Sequence, residues 1–316
     1  MQEKMSYAGQ YDNYGSCNQL IDKFMDLEVS SAQVYRVTNA YGSGLDMGDQ
    51  SERSLPPLQE GEVIYAEADG SMILTRDGWK EVKLGRVFKS SDCLPGEDGV
   101  RGEVLSSQYI AHLGSKGPFC RGMDELLDSF GGTALGDRLV FINDGAEWIA
   151  NWIRDIFPGA TDILDYYHAC EHLHGFVREA FPDGEQGKAW AAKQKDRLLE
   201  SRVDRVIDAV ASTPCRNKAV TEARDALLNY YRNNAHRMDY ARYRKIGCGI
   251  IGSGAIESAH RTIIQKRLKQ SGQRWGRVGA QNVLNLRAIN QSGKWHKVIR
   301  NIKEAAAQAN QRENAA

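Results

Sequence analysis

The sequence predicts an α/β protein built on a mixed β-sheet. Three short segments between residues 62 and 88 alternate apolar and polar side chains at hairpin spacing, and two later apolar runs each precede a helical pattern. Alternating segments are typical of antiparallel strands, whereas continuous apolar runs are typical of buried parallel strands. The chain has 316 residues, 41% of them hydrophobic and 26% charged, which excludes a disordered or collagen-like protein.

The N-terminal segment, residues 1–60, predicts a small helical unit followed by a linker. An apolar face runs over residues 18–27, and Ser30 with Gln33 has the form of a capping box that opens a second helix to about residue 40. Two short helices with a tight turn fit either a helix-turn-helix or an ordinary packing unit. Residues 43–60 are rich in Gly, Ser, Asp and Pro and indicate the linker.

Residues 61–183 are expected to form the α/β core. Strands are predicted at residues 62–68, 72–75, 81–88, 138–143 and 161–166, with Asp69-Gly70 as a turn. Helices are predicted at residues 124–130, at residues 146–157 and from residue 168 onward. Three antiparallel strands followed by two parallel ones is the order of an RNase H-like fold. Residues 184–246 predict an all-helical insertion, and residues 247–316 a basic helical part that begins with a Gly-rich loop.

The net charge of zero conceals a separation of charge along the chain. Lysine plus arginine and aspartate plus glutamate both number 41, yet residues 236–300 contain 14 cations against two anions. Such a regional basic block, with tyrosines and tryptophans among its cations, predicts a surface for a nucleic-acid backbone. A solvated helix face paired with the acidic half is the alternative. The predicted DNA-binding residues are Arg261, Lys266, Arg267, Lys269, Arg274, Trp275 and Arg277.

Three acidic residues stand where a carboxylate is costly. Asp69 and Asp144 each follow an apolar strand segment, and Glu257 is one of the two anions in the basic block. A desolvated carboxylate needs a counter-charge or a cation. If the three converge, they form an oxygen site for two Mg²⁺ or Mn²⁺ ions, which suits phosphoryl displacement. Taken singly, an Asp-Gly pair after a strand is also an ordinary turn.

A second group of titratable residues follows the last predicted strand. Asp165 is expected to cap the next helix and to orient His168. Residues 168–172 also match the pattern H-x-x-E-H, in which His168 and His172 would bind zinc and Glu171 would act as a base. A third ligand from a later helix would be required. A zinc hydrolase is therefore an alternative function.

The sequence contains no apolar run of bilayer-spanning length and no secretory-type apolar segment near residue 1. The six cysteines are scattered and include no C-x-x-C pair, as in proteins with reduced thiols. We therefore expect a cytoplasmic protein with no membrane partner.

Four segments of the chain resemble bacterial insertion-sequence DDE transposases of the ISKra group, relatives of the Mutator-like superfamily. They read AEADGS, VFINDGAEWI, DILDYYHACEHL and GSGAIESAHRTIIQKRLKQSGQRW, and the resemblance extends from about residue 10 to 300. It implies an RNase H-like catalytic domain with an all-α insertion. It also implies that Asp69, Asp144 and Glu257 are the catalytic triad that binds two Mg²⁺ or Mn²⁺ ions.

The same resemblance implies a reaction and partners. The protein would cleave DNA at the terminal inverted repeats of its element and join the ends to target DNA, as a homodimer or larger assembly associated with the bacterial nucleoid. Asp165 and His168 match the superfamily's D-x-x-H motif, close to the active centre. His260 and Gln273 depart from the group's pattern. The alternative is a truncated or domesticated copy that binds DNA without transposing.

Overall fold

The computed structural model describes residues 1–45, 58–95 and 102–314. Its strands are β1 (Ile64–Thr75), β2 (Gly78–Lys89), β3 (Cys93–Pro95), β4 (Gly102–Val104), β5 (Gln108–Leu113), β6 (Leu139–Asn143) and β7 (Thr161–Leu164). Five of them form one sheet in the order β5-β2-β1-β6-β7, and β3 pairs with β4 alone. Strand β2 is antiparallel to both of its neighbours, β1 and β5, whereas β6 runs parallel to β1 and to β7. The expected mixed α/β sheet is thereby confirmed.

The structure corrects the predicted antiparallel strands. Residues 62–68 and 72–75 belong to one strand, β1, so that Asp69-Gly70 lies inside a strand and not in a turn. The turn lies between Thr75 and Gly78, which face each other across β1 and β2. The third antiparallel strand is β5, in a Gly-rich stretch for which no strand was predicted. Helices cover both faces of β5, and this tertiary packing stabilises a strand that its own pattern does not indicate.

Helices cover the sheet and form both ends of the described chain. They are α1 (Gln2–Tyr11), α2 (Tyr14–Met25), α3 (Ser31–Ser43), α4 (Lys116–Asp128), α5 (Glu147–Ile156), α6 (Tyr166–Ala180), α7 (Gly184–Leu199), α8 (Val203–Ala211), α9 (Lys218–Asn234), α10 (Tyr240–Tyr243), α11 (Gly254–Ala259), α12 (Lys266–Leu268), α13 (Arg277–Gln291) and α14 (His296–Asn314). A π-helical segment, His260–Gln265, joins α11 to α12. None of these described helices is both long and apolar enough to cross a membrane.

Helix α1 is an addition to the two predicted N-terminal helices. The predicted cap of α3 is confirmed, because the Ser30 side chain accepts a hydrogen bond from the backbone N–H of Gln33. Residues 184–246 contain helices as their regular secondary structure, in agreement with the all-helical prediction.

The alternation of side chains along β1 divides them between two faces of the sheet. Ile64, Ala66 and Ala68 pack with α4 and α5 in one hydrophobic cluster. Tyr65 points to the opposite face, in a cluster formed with α6 and the helices that follow it. Ile73, also on that face, packs with α11, the π-helical segment and α13 in a third cluster. Glu67 and Asp69 share the parity of Tyr65 and Ile73, so they lie where the second and third clusters meet.

Two buried arginines fasten α1 to the C-terminal helices. Arg287 on α13 is 2% exposed and donates to the backbone oxygens of Gln10 and Ile263, the latter at 2.6 Å. Arg267 on α12 is 1% exposed and donates to the backbone oxygen of Gly9 at 3.1 Å. Burial lowers the pKa of Arg287 to about 10, which still leaves the guanidinium protonated at neutral pH. Both cations therefore satisfy carbonyl groups at the end of α1 that have no partner within the helix.

Replacement of Arg287 by alanine is expected to destabilise the protein strongly. The substitution leaves buried carbonyl oxygens of Gln10 and Ile263 without a donor, at a cost of about 1–3 kcal/mol each. We expect the free energy of unfolding, measured by urea denaturation, to fall by about 3 kcal/mol or more. Arg277→Ala is a matched control on the same helix, because its ion pair with Asp77 is exposed; it should cost less than about 1 kcal/mol. Equal losses in the two variants would contradict the anchoring role.

Candidate active site

Asp69 lies in the middle of β1 and is paired with a histidine. Its Oδ2 atom is 3.1 Å from Nε2 of His260, and its Oδ1 accepts a hydrogen bond from the N–H of Gly70 at 2.6 Å. Burial raises the pKa of Asp69, but the nearby imidazole of His260 and the hydrogen bond from the Gly70 N–H together outweigh burial, so that this pKa lies below its ordinary value. Asp69 is thus an ionised carboxylate in contact with an imidazole.

The histidine that contacts Asp69 comes from an irregular part of the helix. His260 is the first residue of the π-helical segment between α11 and α12, and such wide turns occur frequently at functional sites. The side chain is buried, and neither Nδ1 nor Nε2 has a hydrogen-bond partner of good geometry, although Nε2 lies close to Asp69. The contact with Asp69 depends on where this segment passes over the sheet, which no sequence spacing specifies.

Asp144 directly follows β6, as predicted, on the strand next to the one that carries Asp69. The parallel pairing of β1 with β6 ends at Glu67 and Ile142, two residues before each of the two acids. Asp144 is half-buried, and its Oδ1 accepts a hydrogen bond from the N–H of Ala146 at 2.9 Å. Its backbone oxygen accepts one from the hydroxyl of Tyr230, also at 2.9 Å. Asp144 therefore shapes the turn before α5.

Glu257 is exposed in the first turn of α11, immediately after the Gly-rich loop. The three predicted acids do not form a closed coordination group in this structure. Within residues 1–45, 58–95 and 102–314, no group of three or more His, Cys, Asp or Glu residues could hold a metal ion. A shared ion would require side-chain rearrangement, which includes release of Asp69 from His260.

Asp165 joins the start of α6 to the loop that precedes Glu257. Its Oδ1 accepts hydrogen bonds from the backbone N–H groups of Tyr167 at 2.6 Å and His168 at 3.2 Å, so the predicted helix cap is confirmed. Its Oδ2 accepts from the backbone N–H of Ser253 at 3.0 Å and from the Ser253 hydroxyl. Asp165 is 3% exposed. One buried carboxylate thus positions both α6 and the N-terminal end of α11.

Further contacts hold the Gly-rich loop against the sheet and α6. The N–H of Tyr166 donates to the backbone oxygen of Ile251 at 2.9 Å, and the hydroxyl of Tyr65 donates to that of Ile246 at 2.8 Å. Gly252 passes so close to Tyr167 that a Cβ atom would lie 2.3 Å from Cδ2 of the ring. Glycine is therefore required there by space.

Glu67 is a carboxylate near Asp69 that was not among the predicted site residues, although it lies in the segment AEADGS. It lies two residues before Asp69 on the same face of β1, and the period of two along a strand is the signal that could have identified it. Its side chain is fully buried, and neither oxygen has a hydrogen-bond partner. Burial raises the pKa of Glu67 to about 8; Arg86 and the backbone of Ile256 oppose this shift, and the charges of Asp165 and Glu257 add to it.

The histidines of the H-x-x-E-H pattern pack beside a tyrosine of α9. The ring of His172 stacks on Tyr230 with 3.9 Å between centroids, and Nδ1 of His168 lies 3.4 Å from Oε2 of Glu171. Burial and, to a smaller extent, the charge of His168 lower the pKa of His172. The described part of the chain supplies no third ligand to these residues. The zinc-hydrolase alternative therefore gains no support.

The predicted DNA-binding residues separate into an exposed and a buried set. Arg267 is 1% exposed and Trp275 is 7% exposed. The indole N–H of Trp275 donates to the backbone oxygen of Leu268, and the guanidinium of Arg267 packs over the Trp275 ring. Their burial corrects the prediction that these two residues contact DNA: they hold α12 in place. The exposed basic residues, which remain available to a phosphate backbone, are Arg261, Lys266, Lys269, Arg274 and Arg277.

Comparison of the sequence with protein-family models and with curated proteins yields no match. The assignment of a function therefore depends on the motifs and on the geometry described above.

Removal of the Asp165 carboxylate is expected to loosen the Gly-rich loop as well as α6. Asp165→Ala deletes a helix cap and leaves the buried Ser253 N–H without an acceptor, so unfolding should become easier by about 2–3 kcal/mol. Asp183→Ala is the matched control, because Asp183 caps α7 through exposed hydrogen bonds alone; it should cost about 1 kcal/mol. Hydrogen exchange at residues 247–254 should accelerate in the Asp165 variant and remain unchanged in the control. Unchanged exchange in both would refute the link.

Proposed function

We propose that the protein is a DDE transposase of an insertion sequence, with an RNase H-like catalytic domain. The observation that carries the proposal is the placement of Asp69 on the central strand β1 and of Asp144 directly after the adjacent parallel strand β6. The sheet has three antiparallel strands followed by two parallel ones, the order that the transposase resemblance implies. A sheet with this strand order supports a site to which two neighbouring strands each contribute one acid and a later helix contributes the third.

Carboxylate oxygens are suitable ligands for Mg²⁺ or Mn²⁺, so Asp69, Asp144 and Glu257 are the residues that would hold the two ions, after the side-chain rearrangement described above. Such ions would activate a water or a 3′-hydroxyl and stabilise the leaving oxygen of a phosphodiester. Asp165 positions α11, and through it Glu257, for this chemistry.

The proposed partners are the terminal inverted repeats of the element and the target DNA. Five exposed basic residues between Arg261 and Arg277 stand on the segment that follows Glu257. A phosphate backbone bound there would run next to the acidic edge of the sheet. The proposal includes a homodimer or larger assembly on the DNA in the bacterial cytoplasm.

A second candidate is a DNA-binding protein that no longer cleaves DNA. The observation that favours it is the close contact between Asp69 and His260, together with the lack of a metal-holding group among the described residues. A carboxylate engaged by an imidazole is less available to a divalent ion. Cleavage assays separate this candidate from the transposase.

Asp144→Asn is expected to abolish strand cleavage and to leave DNA binding intact. Asparagine retains the side-chain oxygen that accepts from the Ala146 N–H, so the turn survives while the negative charge is lost. We expect the rate of end cleavage in Mg²⁺, measured on DNA carrying the ends of the element, to fall by at least about a hundredfold. Asp155→Asn, an exposed aspartate on α5, is the matched control and should cleave like the wild type.

Each outcome of the cleavage assay decides between the candidates. Full cleavage by the Asp144 variant would exclude Asp144 from the catalytic site. Specific DNA binding without any cleavage by the wild-type protein in Mg²⁺ or Mn²⁺ would favour the second candidate.

Exposed and buried basic residues are expected to differ in their effect on the salt dependence of DNA binding. Lys266→Ala removes one phosphate contact, so the slope of log affinity against log salt should decrease by about 1. Arg267→Ala should leave the slope unchanged in the protein that remains folded, because its guanidinium is turned inward. Lys303→Ala, an exposed change on α14, is the control. A slope that Lys266→Ala does not alter would contradict the proposed interface.

A further inference from the structure

The hairpin formed by β1 and β2 extends beyond the rest of the sheet. Strand β1 pairs with β6 over residues 64–67, and β2 pairs with β5 over residues 82–87. Within the described residues, the far part of the hairpin, residues 71–80, is flanked by no further strand and by one isolated bridge, between Thr75 and Trp275. One face of this part is covered, because Ile73 packs with α11, the π-helical segment and α13.

The opposite face of the hairpin end carries apolar side chains that remain accessible. The alternation along β1 places Met72 and Leu74 on the face away from Ile73, and the register sets Trp79 directly opposite Leu74. Trp79 is 62% exposed and Met72 is 44% exposed. Directly opposed residues of antiparallel strands lie about 5 Å apart, so the three side chains form one apolar surface. We name Met72, Leu74 and Trp79 the hairpin patch.

Basic residues stand next to the hairpin patch. The N–H of Arg76, in the turn, donates to the backbone oxygen of Trp275 at 2.9 Å, and the N–H of Trp275 donates to that of Leu74 at 3.1 Å. This bridge brings the exposed residues Arg274 and Arg277 to the end of the hairpin. The basic segment after Glu257 and the hairpin patch are therefore parts of one surface.

The acids at this end of the hairpin are already paired. Asp77 lies 3.0 Å from Arg277, and Glu81 lies 2.5 Å from Lys83. Exposed cations that belong to no ion pair among the described residues are Arg76 and Arg274. The surface around the hairpin patch is therefore complementary to an anion.

An exposed indole bordered by free cations matches the chemistry of an unpaired nucleotide. A base offers a flat face to an aromatic ring, and the phosphates on either side of it are anionic. Proteins that bind single-stranded DNA combine such an aromatic side chain with cations that follow the backbone. A base inside a duplex is already stacked on its neighbours, so the indole can reach only a base that is unpaired.

We propose that Trp79 is a stacking site for an unpaired base of DNA, with Arg76 and Arg274 bound to the adjacent phosphates. This inference rests on the proposed function for the choice of DNA as the partner, and it adds that the bound DNA has single-stranded character at the end of the hairpin. The site is distinct from the acids, because Asp69 shares the parity of Ile73 on the opposite face of β1.

The first test is binding of a fluorescein-labelled oligothymidine to the full chain, measured by fluorescence anisotropy. We expect Trp79→Ala to weaken binding by at least about fivefold, whereas Trp79→Phe, which keeps an aromatic face, should stay within about threefold of the wild type. Phe24→Ala is the matched control, because Phe24 is an aromatic residue on α2 that is 80% exposed; it should bind like the wild type. Equal affinity in Trp79→Ala and the wild type, or no binding by the wild type, would overturn the proposal.

The salt dependence of the same binding separates stacking from charge. Trp79→Ala should lower the affinity without changing the slope of log affinity against log salt, because an indole releases no counterion. Arg76→Ala should decrease that slope by about 0.7, the value for one phosphate of a single strand. A reduced slope in Trp79→Ala, or an unchanged slope in Arg76→Ala, would overturn the proposed arrangement.

A fluorescent base reports the stacking directly. With 2-aminopurine in place of several thymines, saturating wild-type protein should quench the fluorescence, and saturating Trp79→Ala should not. Equal quenching by both proteins would refute a contact between the indole and a base.

A second copy of the chain is the other occupant that an apolar patch could take. Sedimentation equilibrium of the wild type and Trp79→Ala tests this directly. A dimer that Trp79→Ala dissociates, with oligothymidine binding unchanged, would overturn the proposal and assign the hairpin patch to self-association.

The DNA-cleavage assay distinguishes failure of this inference from failure of the proposed function. Oligothymidine binding that depends on Trp79 in a protein that cleaves no DNA would refute the transposase and support the stacking site. Cleavage by the wild type, with oligothymidine binding unaffected by Trp79→Ala, would support the transposase and refute the role of Trp79.

Discussion

The strand β1 is the constraint on which the rest of the site depends. It is twelve residues long and central in the sheet, and the side chains of its first five residues are buried on both faces. One face carries Ile64, Ala66 and Ala68 into the core under α4 and α5. The other face carries Glu67 and Asp69 to the line where two separate helical clusters meet. A one-residue shift in register would exchange the acids with apolar side chains, so the hydrophobic core itself specifies where the carboxylates stand.

The helices that cover the acidic face are held by buried polar contacts in addition to apolar packing. Asp165 binds the Gly-rich loop to α6, and Arg267 and Arg287 bind α12 and α13 to the end of α1. Removal of one partner from such a buried arrangement leaves the other partner unsatisfied, which costs more than the interaction contributes. The segment that carries Glu257 and His260 is therefore held at one end by Asp165 and at the other by Arg267. The π-helical residues lie between these two anchoring points.

Several features were predictable because they depend on local chemistry. The Ser30 cap, the Asp165 cap and the buried strand before Asp144 follow from side-chain type and spacing, and the structure contains all three. The turn predicted at Asp69-Gly70 failed, because a glycine in a strand resembles a turn signal unless the neighbouring strand is known. Strand β5 could not be predicted, since it is stabilised by helices distant in sequence. Arg267 and Trp275 have the composition of a DNA surface, but packing against α1 and α12 turned them inward.

The sequence by itself determined the α/β class, the separation of acidic and basic regions and the identity of the candidate acids, because periodicity, charge and motifs are properties of the chain. The tertiary structure alone decided which of these groups meet. It placed Asp69 and Asp144 on adjacent strands, brought His260 onto Asp69 and buried Glu67 without a partner. Those contacts join residues up to 191 positions apart, as between Asp69 and His260. Their geometry depends on strand register and on the path of one irregular helix, and neither is encoded in local spacing.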